Sequence, residues 1–141
     1  MTISLSFDHA ETTGSYPNVA YQLLLGIEAD FRLVVDCQEV LYQPHFPIVE
    51  LRQWLAAWLG AGTTEDFIYT SIEAEETGLI TFRRVGETEW AVDSAWSTLV
   101  QPPTVELQCL TCACKQFVAN VDFWVAAQLG LHVQQVLGDL R

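Results

Sequence analysis

Residues 67–94, FIYTSIEAEETGLITFRRVGETEWAVDS, decide the fold class. Three runs, Phe67 to Ala74, Leu79 to Val85 and Glu89 onward to Ser97, are rich in β-branched and aromatic residues. Turn residues part them, first Glu76-Thr77-Gly78 and then Gly86-Glu87. The pattern predicts a meander of consecutive antiparallel strands. Successive strand side chains point to opposite faces, so Phe67, Tyr69, Ser71, Glu73 and Glu75 share one face and Ile68, Ile72 and Ala74 the other.

Upstream, Thr2 to Phe7 alternates polar and apolar residues and reads as a half-buried strand. Tyr21 to Glu28 is an apolar run with one glycine, continued by Phe31 to Val35. Asp36-Cys37-Gln38 is a turn and Glu39 to Gln43 a returning strand, which makes a hairpin. Pro44 and Pro47 end the sheet, and Pro47 suits the first turn of a helix. Ile48, Leu51, Trp54, Leu55, Trp58 and Leu59 recur at helical spacing, which leaves Glu50, Arg52, Gln53 and Ala57 on the far side and Gly60 as the stop. Trp54 and Trp58, one turn apart, are expected to pack on the sheet, with Trp90 or Trp124 partly exposed.

Downstream of Pro102-Pro103, Val105 to Val118 reads as a last long strand, and Val121 to Leu137 as a second helix capped by Asn120 or Asp122. Strands, helix, meander, helix is an α+β order. The expectation is one domain over residues 1–141, with an antiparallel sheet of six to seven strands and two main helices on one face.

Charge is the most unusual property. Against 18 Asp and Glu stand 6 Lys and Arg, a net charge of −12, although half the residues are hydrophobic. Such a surface repels phosphate backbones and anionic membranes, so neither nucleic acid nor a lipid surface is the expected partner. A basic protein is the natural complement. The plainer reading is solubility alone. The start MTISLSFDHAETTGS lacks the basic segment and long apolar run of a signal peptide, so a cytoplasmic protein with reduced thiols is expected.

Few motifs carry chemistry. There is no G-x-S-x-G, phosphate-binding loop or Rossmann fingerprint. His9, His45 and His132 lack metal-ligand spacing; the first two read as loop residues and His132 as a core residue of the second helix. Cys109, Cys112 and Cys114 are the sharpest local pattern, since thiolates at short spacing can hold soft metals or do redox chemistry. On a strand Cys112 and Cys114 would share a face opposite Cys109, and the plainer reading is that they are small core residues. No enzyme, cofactor or metal is expected.

Carboxylates weigh more. Glu65, Asp66, Glu73, Glu75, Glu76, Glu87, Glu89 and Asp93 crowd the meander against Arg83 and Arg84. Mixed with aromatics, they suit a protein interface, and Phe67, Tyr69, Glu73, Glu75, Glu87, Glu89 and Asp93 are the expected contact residues. The stretch LITFRRVGETEWAVDSAW, residues 79–96, is similar to a strand-turn-strand of bacterial immunity proteins. Phe31-Arg-Leu-Val-Val followed by the helix around Leu51 and Trp54 resembles them too. The resemblance implies a stoichiometric inhibitor of a cognate, often basic, toxin, with no catalysis of its own. The alternatives are a metal- or thiol-dependent enzyme or sensor using the three cysteines, or a structural subunit of a larger assembly.

Overall fold

The long central strand, β2 (Ile27–Val35), shows how the sequence builds its first sheet. Its burial alternates, with Ile27, Ala29, Phe31, Leu33 and Val35 inward and Glu28, Asp30, Arg32 and Val34 outward. A computed structural model describes residues 2–16, 18–71 and 77–138. In it β2 pairs antiparallel with β1 (Ile3–Thr12) on one side and β3 (Gln38–Pro47) on the other. Asp36 and Cys37 join β2 to β3, both at positive φ, 47° and 66°. That is the mirror-image turn whose twist matches the flanking strands. Asp36 Oδ1 accepts the Thr2 N–H at 2.6 Å and ties the start of β1 to this turn.

β1 carries one extra residue opposite β2, between Asp8 and Glu11, and β3 carries two, one between Gln43 and Phe46 and one at Val40. The first two bulges each contain a histidine in the left-handed region, His9 at φ 54° and His45 at φ 56°.

The apolar run that precedes β2 is a short helix, α1 (Val19–Leu25), not an extension of the strand. Asn18 caps it by accepting the Tyr21 N–H at 2.9 Å. Gly26 makes the helix-to-strand corner. A Cβ there would lie 2.5 Å from the Gln22 carbonyl oxygen, so only glycine fits.

The expected helix after Pro47 is present as α2 (Ile48–Gly60). Its far side is not solvated: Glu50, Arg52 and Gln53 are buried, whereas Trp54 is exposed. Each buried polar group has a partner. Tyr69 Oη donates to Glu50 Oε1 at 2.7 Å, and the Arg52 guanidinium donates to both Asp122 carboxylate oxygens at 2.8 and 3.0 Å and to Gln53 Oε1 at 2.6 Å. Unpaired, such groups would cost several kcal/mol each.

The meander is present as β4 (Phe67–Tyr69), β5 (Ile80–Arg84) and β6 (Glu89–Asp93). The first strand is shorter than expected, and its expected continuation from Ile72 to Ala74 lies outside the described residues. A fourth strand, β7 (Thr104–Glu106), pairs with β6. The fold is therefore mixed α+β with antiparallel pairing throughout. Among the described residues seven strands divide into two sheets, ordered β1-β2-β3 and β4-β5-β6-β7, instead of the single sheet expected.

The largest correction falls on residues 105–137. Val105 is followed not by a long strand but by a 23-residue helix, α3 (Leu107–Leu129). Its buried residues Leu110, Cys114, Phe117, Val121 and Val125 recur every three or four positions. Gly130 ends it in the left-handed conformation, φ 67°, with its N–H on the Ala126 carbonyl. Val133–Leu137 is a separate turn of helix, α4, and His132 is its exposed N-cap, not a core residue.

One hydrophobic cluster runs through both sheets. Phe7, Phe117, Phe31 and Phe46 follow one another in ring contact, and Phe46 continues to Tyr69 at 5.9 Å. Under the second sheet Trp58 touches Phe67, Phe82 and Trp90. Trp90 is fully buried, against expectation, and its Nε1–H has no hydrogen-bond partner among the described residues. Trp58 lies 5.7 Å away, nearly perpendicular to it.

Candidate functional site

Antiparallel register brings distant carboxylates to one end of the second sheet. Phe67 pairs with Phe82 and Arg84 with Trp90, so Glu65 and Asp66, just before β4, lie beside the end of β5. The β5–β6 turn, with Glu87 and Glu89, closes the same end. All four carboxylates are exposed.

Hydrogen bonds fix this end. Asp66 Oδ1 accepts the Arg84 N–H at 3.1 Å. The Arg84 guanidinium turns to carbonyls, donating to Gly86 O at 3.0 Å and Glu87 O at 3.3 Å. Among the described residues no ion pair engages Glu65, Asp66, Glu87 or Glu89. The Arg84 guanidinium thus closes the turn and leaves these carboxylates without an ion pair among the described residues. Glu89 also faces Glu106 directly across β6 and β7.

Beside these residues lies an open groove of about 480 Å³ between α2 and β4, lined by Trp54, Trp58, Glu65, Asp66 and Ile68 among others. The chain turns into it through Gly62 and Thr63, at φ 95° and 55°. Trp58 Nε1 donates to the Glu65 carbonyl at 2.8 Å and holds the loop on the helix.

The expected contact residues fare unequally. Phe67 and Tyr69 do share one face, but it is the core face, where Phe67 stacks on Phe82 at 5.0 Å and Tyr69 is wholly buried. They are corrected from contact residues to core residues. Ile68, on the other face, is 53% exposed. Glu87 and Glu89 lie at the acidic end, whereas Asp93 sits at the opposite end of β6, about 13 Å along the strand. Glu73 and Glu75 lie outside the described residues. Sequence reasoning missed the groove and Trp54, whose 40% exposure follows from how α2 meets β4.

The first sheet carries a second group of acids on its outer face. Asp8 stands opposite Asp30, and Glu11 opposite Glu28. Like charges so placed destabilise a sheet. Here the bulge histidines approach them: His9 Nδ1 is 3.1 Å from Asp30 Oδ2, and His45 Nδ1 is 3.8 Å from Glu28 Oε1. Arg32 lies 3.7 Å from Glu39 and 4.8 Å over the Tyr42 ring.

The cysteines take new positions because their segment is helical. Cys109 and Cys112 lie one turn apart on a partly exposed flank, and Cys114 points into the core. Burial pushes the Cys114 thiol up to about 12, which keeps it protonated and unreactive. Among the described residues no three His, Cys, Asp or Glu side chains converge as a metal site would need.

Fold and site together define a two-sheet α+β domain that gathers carboxylates beside an open groove. The chain belongs to the DUF7878 family, described as a domain of unknown function, whose model matches residues 3–127. No curated protein and no solved structure matches it. Among the described residues no helix is long and apolar enough to cross a membrane.

Proposed function

We propose that the protein is an immunity-type binding protein that neutralises a cognate basic toxin by one-to-one association, with no catalysis of its own. The observation that carries this reading is the uncompensated acidic end of the second sheet, where Glu65, Asp66, Glu87 and Glu89 meet without an ion-pair partner among the described residues. A cationic protein surface complements it and would be steered to it. The similarity of residues 79–96 to an immunity-protein strand-turn-strand supports the same reading, because that stretch forms this end.

Phe67 and Tyr69 act beneath the interface as its support, while Glu65 and Asp66 join Glu87 and Glu89 in it. The net charge of −12 disfavours nucleic acid and anionic membranes as partners, and the protein acts in the cytoplasm, where its toxin would arrive. The thiol or metal alternative gains nothing from the cysteines, which spread around α3.

The test is co-expression with the basic C-terminal domain of a large secreted protein encoded beside this chain. Rescue of growth and a one-to-one complex by calorimetry are the expected results. A toxic domain that still kills and does not associate would overturn the reading.

A further inference from the structure

We propose that the groove between α2 and β4 receives one apolar side chain of a basic protein segment, whose flanking Lys or Arg residues reach Glu65 and Asp66. This rests on the reading of the protein as a binder of basic partners and names the place where the partner is anchored.

Single exposed apolar residues are ordinary. Trp54 and Ile68 differ because they come from separate elements, are 40% and 53% exposed, and line one groove. Its volume of about 480 Å³ exceeds any one side chain. The walls are already in place. Trp54 rests edge-on against Tyr69 at 5.7 Å, and Trp58 pins the Glu65 carbonyl at 2.8 Å. A preformed site loses little conformational freedom on binding.

Charge chooses the occupant. Glu65 and Asp66 line the same groove; the Arg84 guanidinium is committed to the Gly86 and Glu87 carbonyls, and among the described residues neither Arg83 nor Arg84 forms an ion pair with them. A second copy of this chain, of net charge −12, would bring like charge to that rim. A neutral apolar ligand would leave the carboxylates without a counter-charge. An apolar side chain between cations satisfies both the aromatic wall and the rim, the arrangement of a buried anchor ringed by polar contacts.

The experiment uses the full chain and a synthetic peptide amide, acetyl-Lys-Arg-Leu-Lys-Arg, followed by amide chemical shifts. The expected shifts centre on Trp54 and on residues 65–68. Replacing the peptide leucine by serine weakens binding about tenfold, in line with loss of one buried side chain. Trp54→Ala and Ile68→Ser weaken the leucine peptide by a similar factor, with a cooperative unfolding transition retained, and not the serine peptide.

Equal affinity for both peptides, shifts spread over every carboxylate, or shifts that report only self-association would each overturn the groove. The two readings fail separately. If Trp54→Ala and Ile68→Ser still rescue growth and bind the toxin domain as the parent does, the groove assignment falls and neutralisation stands. If peptide binding centres on the groove but no toxin is neutralised, the reverse holds.

Discussion

The two acidic surfaces of this protein are built differently. On the outer face of β1-β2-β3, opposed carboxylates are met from within: His9 approaches Asp30, His45 approaches Glu28, and Arg32 lies beside Glu39. At the end of β4-β5-β6-β7, Arg84 serves carbonyls, and Glu65, Asp66, Glu87 and Glu89 have no such answer among the described residues. Equal acidity therefore means different things. The first surface has a basic side chain placed beside three of its acids, Asp30, Glu28 and Glu39. The second is left open to whatever arrives, and an aromatic groove adjoins it.

Experiments that separate the two surfaces begin with the strongest effect, on the link beneath them. Asp122→Ala strands the Arg52 guanidinium, 6% exposed, in the core. Since the Asp122 side chain is itself 40% exposed, the loss sits at the low end for such a pair, about 3 kcal/mol in urea unfolding. A change below 1 kcal/mol would show that water replaces the carboxylate.

Second comes a pH effect in the core, away from both surfaces. The Cys114 thiol ionises near 9.0 when unfolded and about 12 when buried, so its stabilising contribution is complete below the first value and lost as pH climbs toward the second. The gap in unfolding free energy between the parent and Cys114→Val should shift against the parent above pH 9 and stay flat below it. A gap independent of pH would mean that the thiol is hydrated.

Third, Glu87→Lys with Glu89→Lys should slow association with a basic partner about tenfold and flatten its salt dependence, with stability altered by less than about 0.5 kcal/mol. The same reversal at Asp8 and Glu11 should leave association nearly unchanged. If the first sheet's acids matter equally, the distinction between the surfaces disappears. The smallest effect belongs to Asp8→Lys alone, which turns a like-charge pair with Asp30 into an opposite one and should stabilise the chain by about 0.5 kcal/mol.

Local signals read correctly where they were self-sufficient. The Asp36-Cys37 turn, the helix after Pro47 and the meander all have their punctuation nearby in the sequence. α3 was misread because Val105 to Val118 mixes β-branched, cysteine and aromatic residues that mimic a strand. The spacing of Leu110, Cys114, Phe117, Val121 and Val125 was the helical signal that would have corrected it. The faces of α2 were not legible in the same way. Arg52 is tolerated inside only because Asp122, 70 residues away, returns to meet it. Of the candidate site, Glu87 and Glu89 could be read from their turn. The groove could not, because it exists only where α2 passes the end of β4.

The shape of β3 carries one more consequence. An outer strand of ten residues would ordinarily be a template for fibril growth. Pro44 and Pro47 each lack a donor, and the kink at His45 bends the edge between them. On the opposite flank the kink at His9, with Asp8 and Glu11 around it, breaks β1 in the same manner and leaves only Ile3–Phe7 as an uninterrupted edge. A stray chain seeking to stack on this sheet would find only a short ledge on either side, Ile3–Phe7 on one and Gln38–Gln43, bulged at Val40, on the other.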